Sequence, residues 1–353
     1  MVPNVQTGVR RADLPRTQWI MPSVAFVINR TLVRDLPGFL RRCRAAAEAH
    51  GWEPTFAETS PAEAGLGLAR HAVAAGARLV FAAGGDGTVR ACAQALARTG
   101  IPLAIVPLGT ANLTARALGI PSGADRAIEA GFRGRDRRID LASASGDGIG
   151  RDPLAGDGGA GPLAGDGGAD PLGGDGGGIS FGGDGGGISF TAMAGIGLDA
   201  AVVGAARTPH KRRLGWLAYA AAGLTQLGRP PREFTVCLDG GEPLTRRARC
   251  VVVGNVGLLP GGFWLLPEAR CDDGRLDVGI LAPAGALGWP RVAGRVLTRS
   301  RRQDRALERF QARHVTISAG ADLPRQIDGE IIGPGHTLTV SVCPGALTIR
   351  QPG

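Results

Sequence analysis

The stretch Phe81-Ala82-Ala83-Gly84-Gly85-Asp86-Gly87-Thr88 constrains the fold more than any other part of the chain. Ahead of the glycines, Arg78-Leu79-Val80-Phe81 is an apolar run with the length of a short buried strand. Behind them, Thr88 to Leu96 resumes with helical periodicity. A strand, a tight glycine turn and a helix start together form an anion site. The unpaired backbone N–H groups of the helix N-terminus point outward, and glycines let a phosphate come close to them. A second element repeats the arrangement. Ile101 to Val106 reads as the next strand, ends in Pro107-Leu108-Gly109-Thr110-Ala111-Asn112, and runs into a helical segment from Leu113 to Leu118. Two successive strand ends therefore set glycines and hydroxyls on one sheet edge, where parallel α/β folds bind ligands.

The preceding residues extend the pattern. Val24 to Ile28 is a first strand with Asn29 at its end. A helix over Asp35 to His50, a short strand near Thr55-Phe56 and a helix over Ala62 to Ala75 follow. Such βαβα alternation predicts a mainly parallel sheet covered on both faces. Thr59, at a strand end, is placed to cap the next helix, and Asn112 is placed to cap the helix it begins.

Composition changes after Gly131. Asp136 to Leu141 reads as a strand that opens a second domain. From Ser145 to about Gly187 the motif Gly-Asp-Gly-Gly recurs at Gly156, Gly165, Gly174 and Gly183. Large apolar residues are too sparse there for a repeat-built core, so residues 146–187 are expected to be a disordered insertion in a hairpin. Ile188 to Gly195 would be the partner strand. Further strands are predicted near Phe234–Leu238, Arg249–Val253, Leu276–Leu281, Val315–Ser318 and Leu338–Val342. Many strands with few helices imply a mostly antiparallel sandwich. The expected architecture is α/β: a parallel-sheet nucleotide-binding domain over residues 20–135, then a mainly antiparallel β-sandwich domain over 136–353.

The 353 residues suffice for two cores, and a formal net charge of +9 suits anionic partners such as a nucleotide or an acidic membrane surface. Six scattered cysteines without CxxC spacing indicate neither a zinc site nor a disulfide framework, which favours a reducing cytosol. Met1 to Thr17 is polar, and no apolar stretch is long enough to span a bilayer. Lys211-Arg212-Arg213 precedes an apolar helix bearing Trp216 and Tyr219, which either rests on anionic headgroups or packs in a core. The loop Gly261 to Leu266 beside Pro260 either lines a lipid entrance or packs. His210, His314 and His336 stand isolated.

Taken in order, GGDGT, LGTAN and ARALGIP, with Ile139-Asp140-Leu141, Gly254-Asn255, Pro260-Gly261-Gly262, Asp272 to Asp277 and Asp328-Gly329-Glu330, resemble the diacylglycerol kinase catalytic family. This family comprises bacterial lipid kinases related to sphingosine and ceramide kinases. The resemblance covers nearly the whole chain and implies an ATP-dependent, Mg²⁺-assisted kinase acting on a membrane lipid hydroxyl, most naturally diacylglycerol. It further implies nucleotide contacts from Asn29, Thr59, Gly84, Gly85, Asp86, Gly87, Thr88, Gly109, Thr110 and Asn112. Asp86 and Asp140 are the candidates for nucleotide-associated magnesium, and Glu330 corresponds to the general base. A structural magnesium is implied at Asp273 with the carbonyls of Arg270 and Arg275. Without the resemblance, that turn and the Asp328-Gly329-Glu330 triplet read as solvated turns, and Asp140 reads equally well as a turn cap. The chain departs from the family pattern at Asn29-Arg30, where Asn-Pro is usual, and at Asn112-Leu113, where Asn-Asp is usual. An NAD kinase shares GGDGT, and a catalytically silent lipid- or nucleotide-binding regulator would explain the departures; both stay open as rivals. The expected location is cytoplasmic at the inner membrane face, without a nucleic-acid partner and with a second copy of the chain as a further candidate partner.

Overall fold

The computed structural model describes residues 21–149, 187–197, 230–259, 262–302 and 304–353. The Gly-Asp repeat over 150–186 and the basic, aromatic stretch Lys211 to Leu224, expected to be a helix, lie outside the described residues, as does Pro260-Gly261.

The first half is the expected alternation: β1 (Ser23–Ile28), α1 (Leu36–Ala49), β2 (Glu53–Glu58), α2 (Leu66–Ala74), β3 (Leu79–Gly84), α3 (Asp86–Leu96), β4 (Leu103–Pro107), α4 (Leu113–Ala117) and α5 (Ala124–Arg133). The four strands run parallel, with β1 between β2 and β3 and with β4 outside β3. Both faces of β3 and β4 are covered, which is why their sequences are unbroken apolar runs. Phe26 stacks on Phe81 with ring centroids 4.5 Å apart, and Phe132 of α5 tilts against both rings. Helix α1 begins at Asp35, whose Oδ1 accepts the Gly38 N–H at 2.9 Å. Helix α2 starts later than its sequence suggests. Its first amides, Gly65 and Gly67, donate to the Glu63 carboxylate, whereas Thr59 is buried and caps nothing. The expectation that Thr59 caps α2 is thereby corrected: its hydroxyl lies six residues ahead of Gly65, while Glu63 is adjacent.

The second half is mostly antiparallel: β5 (Arg135–Ser145), β6 (Ile188–Phe190), β7 (Met193–Ile196), β8 (Arg232–Leu238), β9 (Leu244–Ala248), β10 (Cys250–Gly254), β11 (Leu258–Leu259), β12 (Phe263–Trp264), β13 (Leu276–Leu281), β14 (Leu307–Ala312), β15 (His314–Ile327) and β16 (Glu330–Gln351). Among the described residues one helix, α6 (Gly285–Leu297), interrupts them and carries Pro290 inside it. The sequence reading missed this helix because its glycines and proline hide the apolar spacing of Val292 and Val296. Strands β5 and β6 pair in register Ala142↔Phe190, as a hairpin across the repeat requires.

Among the described residues, fourteen strands form one sheet that crosses the expected boundary. Strand β16 makes this possible. Its first part pairs with β15, and near its end Ile349 and Arg350 lie parallel to Leu103 and Ala104 of β4. Leu338 and Val340 therefore belong to the second core, and Leu347 and Ile349 to the first. Between these parts the β5–β16 ladder shifts register from Cys343 to Leu347, and Gly345 has φ +58°.

The insertion begins later than residue 146. Asp147 is pinned rather than loose, because its carboxylate accepts hydrogens from the His336 and Thr337 amides and the Thr337 hydroxyl. Arg325, 2% exposed, reaches the same carboxylate at 3.3 Å and donates to the carbonyls of Asp147, Thr337 and Pro334. Burial pushes the Asp147 carboxyl up, but the Thr337 hydroxyl and these amides outweigh it and hold the group well below its ordinary value. Asp147→Ala leaves the buried guanidinium without its anion and is expected to cost about 3 kcal/mol at neutral pH. A depressed carboxyl stabilises above its unfolded pKa and loses that contribution as pH falls through the folded one, so the cost should shrink in acid. Urea unfolding of both proteins at pH 7 and near pH 2 measures this, and an undiminished difference in the acid contradicts it.

Candidate functional site

The two glycine turns meet backbone to backbone. A β-carbon on Gly109 would stand 2.7 Å from the Cα of Gly85, so no larger residue fits while the strands keep their register. Gly85 is the N-cap of α3, and Leu108 and Gly109 donate their amides to the Gly84 carbonyl. The turns thereby form one continuous rim at the C-terminal ends of β3 and β4, with the free amides of α3 opening on it. Thr88 does not face that rim. It is buried, and its side chain fills the space where a β-carbon on Gly84 would sit.

Asp86, the first residue of α3, is a strut between the turns. Its Oδ1 accepts the Leu113 N–H at 2.7 Å, so it caps α4. Asn112 was expected to supply that cap. Instead it adopts a left-handed conformation (φ +46°, ψ +52°) and folds its amide back on its own loop, donating to the Gly109 carbonyl and accepting from the Gly109 amide. At the neighbouring strand end, Asn29 accepts from the backbone and hydroxyl of Thr31, while Arg30 points to Glu58 at 3.6 Å. Thr110 is exposed at the rim.

Glu330 reaches this rim from the second half of the chain. Strands β15 and β16 are joined by Asp328-Gly329, both left-handed (φ +47° and +79°), the two-residue turn that suits a twisted hairpin. Asp328 anchors the turn. Its buried carboxylate accepts the amides of Thr191, Ala192 and Met193 at 2.9–3.1 Å, and Thr191 in turn meets Thr114 of α4 at 2.7 Å. The turn so held carries Glu330 to α3: a β-carbon on Gly87 would lie 2.8 Å from Glu330 Oε1. Arg90, one turn further along α3, donates to Glu330 Oε2 at 2.5 Å. The Arg90 Nη1 is buried without a hydrogen-bond partner. Sequence reading passed over Arg90 because a single arginine on a helix has no local signature; only the fold brings it to Glu330, 240 positions away.

Asp140 was expected to share a cation with Asp86, but it is committed elsewhere. Its Oδ1 accepts the Gly345 amide at 2.8 Å and its Oδ2 the Gly274 amide at 2.7 Å. It therefore staples the irregularity in β16 to the Asp272–Gly274 turn, and its charged neighbours are Asp273 and Asp272, not Asp86. Asn255 supports it from behind, donating to the Asp140 and Thr191 carbonyls. In the same turn Asp273 accepts from the Arg275 amide, and Asp272 is bound by Arg137 and Arg270. For a hard cation this turn offers only oxygens, from Asp273 and the carbonyls of Arg270 and Arg275.

Electrostatics single out Asp86. Burial, then the nearby Asp328 carboxylate, push its carboxyl up to about 7 from 3.8, against the lowering pull of the amides at the start of α4. Asp86 thus stands near a second carboxylate and is itself an oxygen donor, so it fits a hard cation that would relieve that repulsion. A carboxyl raised in the folded state stabilises fully below its unfolded pKa and loses that contribution as pH rises through the folded value. Asp86→Asn, neutral throughout, should gain on the parent between pH 4 and pH 8 by on the order of 4 kcal/mol. Thermal unfolding with chelator present checks this, and a difference independent of pH overturns it.

Both halves of the chain are similar to known proteins. Residues 24–144 match the family described as the diacylglycerol kinase catalytic domain, and residues 192–351 match the YegS C-terminal NAD kinase beta sandwich-like domain. A Pseudomonas fluorescens protein named probable lipid kinase YegS-like is 30% identical over 315 residues, covering 88% of this chain and 90% of that protein. A Pseudomonas aeruginosa protein of the same name is 30% identical over 81% of this chain and 80% of its own length. A crystal structure of a putative diacylglycerol kinase from Bacillus anthracis shares the fold, with TM-score 0.67 over 94% of this chain and 95% of that one at 20% identity. The chain belongs to the diacylglycerol kinase catalytic domain family.

Proposed function

We propose that this protein is a lipid kinase that transfers the γ-phosphoryl group of ATP to a lipid hydroxyl, with diacylglycerol the favoured acceptor. The observation that carries the reading is the convergence of Glu330 on the α3 N-terminus. A carboxylate from one half of the chain stands beside an amide-lined rim made by the other. Phosphoryl transfer is mainly positioning and charge stabilisation, and it needs those two parts side by side. In this reading the amides of Gly85 and Gly87 cradle phosphate where Gly109 leaves room for its approach, with Asn29, Thr110 and Asn112 around the nucleotide. Glu330 accepts the proton of the lipid hydroxyl, and Arg90 keeps its carboxylate on the rim. Mg²⁺, held through Asp86, would neutralise phosphate charge. The names of the Pseudomonas relatives support the lipid acceptor.

The direct test supplies labelled ATP with a panel of lipids and, separately, NAD. Label in lipid and none in NAD is expected, and label in NAD alone overturns the reading. Glu330→Gln keeps the shape of the base without its proton affinity. Its nucleotide affinity, measured by calorimetry, should stay near that of the parent while turnover falls by roughly 10²–10⁴-fold. Normal turnover on the best lipid would move the base elsewhere.

A further inference from the structure

The segment Arg291 to Arg305 holds six arginines against one acid, Asp304. Helix α6 turns Val292 and Val296 inward, where they join Ala306 and Leu307 in a small core. Arg295 also serves the interior by pairing with Asp304 at 2.6 Å. The other five arginines, Arg291, Arg299, Arg301, Arg302 and Arg305, are exposed. Among them stands Leu297, 65% exposed, the most exposed large hydrophobic side chain of the described residues. Arg299 ends the helix with φ +51°, and its guanidinium lies 5.3 Å above the Trp264 ring. The pair between Arg301 and Glu268 is 3.5 Å long and solvated on both sides, so it removes little of the charge. The cationic strip continues into a cleft of about 670 Å³ lined by Arg246, Arg247, Arg305, Ala282, Asp304 and Glu308.

A lone exposed leucine is common on any protein surface, but one set among five exposed arginines has the pairing of apolar and cationic groups that an interfacial surface uses. The apolar side chain reaches the acyl boundary, and guanidinium groups take lipid phosphates in their planar fork. The position suits that task. Helix α6 packs on β12, and β11, its hairpin partner, lies against α4, whose first turn is capped by Asp86. The face is thus mechanically continuous with the phosphate rim. We infer that the outer face of α6 and the turn after it, centred on Arg291, Leu297, Arg299 and Arg302, is the surface by which this protein docks on an anionic lipid bilayer. The inference rests on the lipid kinase reading, since a two-chain acceptor stays in its bilayer and the enzyme must come to it. Nucleic acid would match the arginines but not the exposed leucine.

The test uses the full chain and sedimentation with vesicles of phosphatidylcholine alone or with about 30% phosphatidylglycerol. The parent should bind the anionic vesicles and release them as salt rises. The variant Arg291→Gln/Arg299→Gln/Arg302→Gln should bind them about 100-fold more weakly. Leu297→Asn should lower binding several-fold with the salt dependence unchanged. Melting temperatures near that of the parent exclude misfolding. On a short-chain acceptor dispersed without vesicles, both variants should turn over like the parent. Parental affinity of the triple variant, equal binding of the parent to neutral and anionic vesicles, or tighter binding to single-stranded RNA than to vesicles would overturn the inference. Failure of the parent to phosphorylate any lipid would instead strike the kinase reading and leave the vesicle result to stand alone.

Discussion

The Asp328 carboxylate, buried and ringed by three amides, is the interaction on which the arrangement depends. A charge in that position is tolerable only because every oxygen has donors, and removing the donors would leave an anion stranded in low dielectric. Three consequences meet there. The turn between β15 and β16 is fixed in its left-handed form, Thr191 is brought to α4, and Glu330 is carried to the rim of the other half. The same anion raises the carboxyl of Asp86 and draws on the Arg90 cation, so the charges at the seam form one coupled set.

The sequence made the first half legible because parallel strands buried on both faces advertise themselves as apolar runs punctuated by glycine. Phe81 to Thr88 and Leu103 to Asn112 lie where their pattern put them. What the pattern concealed was division of labour within the motifs. Thr88 and Asp140 have the chemistry of ligand-binding residues, yet Thr88 packs against Gly84, and Asp140 joins two backbone segments more than 60 residues apart. A carboxylate has the same letter whether amides or a cation take its lone pairs, so only the fold distinguishes them. Arg90 is the converse: unremarkable in sequence, it acquires meaning from a residue on another strand.

The resemblance supplied what local rules could not, namely Glu330. Asp328-Gly329 is in fact the tight turn that its sequence alone suggests, so the plain reading and the functional one coincide. The turn is the means by which Glu330 is carried to α3. Sequence rules also misplaced two helix caps, at Thr59 and Asn112, for a common reason. In both cases a carboxylate, Glu63 or Asp86, competes for the same amides and binds them more strongly than a hydroxyl or an amide oxygen.

Strand β16 has a further bearing on how the molecule comes into being. The outer neighbour of β4 is made from residues 349 and 350, whereas β1 to β4 are all encoded before residue 108. During synthesis the first sheet must wait through some 240 further residues before that edge is covered. Its strand edge stays open meanwhile, a template for wrong partners, and the closing contact is among the most sequence-distant in the chain. The site becomes whole only at the last step. A ribosome-bound first half holds the glycine rim but neither Glu330 nor the strand that seals its sheet, so the two halves of the candidate site meet only when the last strand is in place.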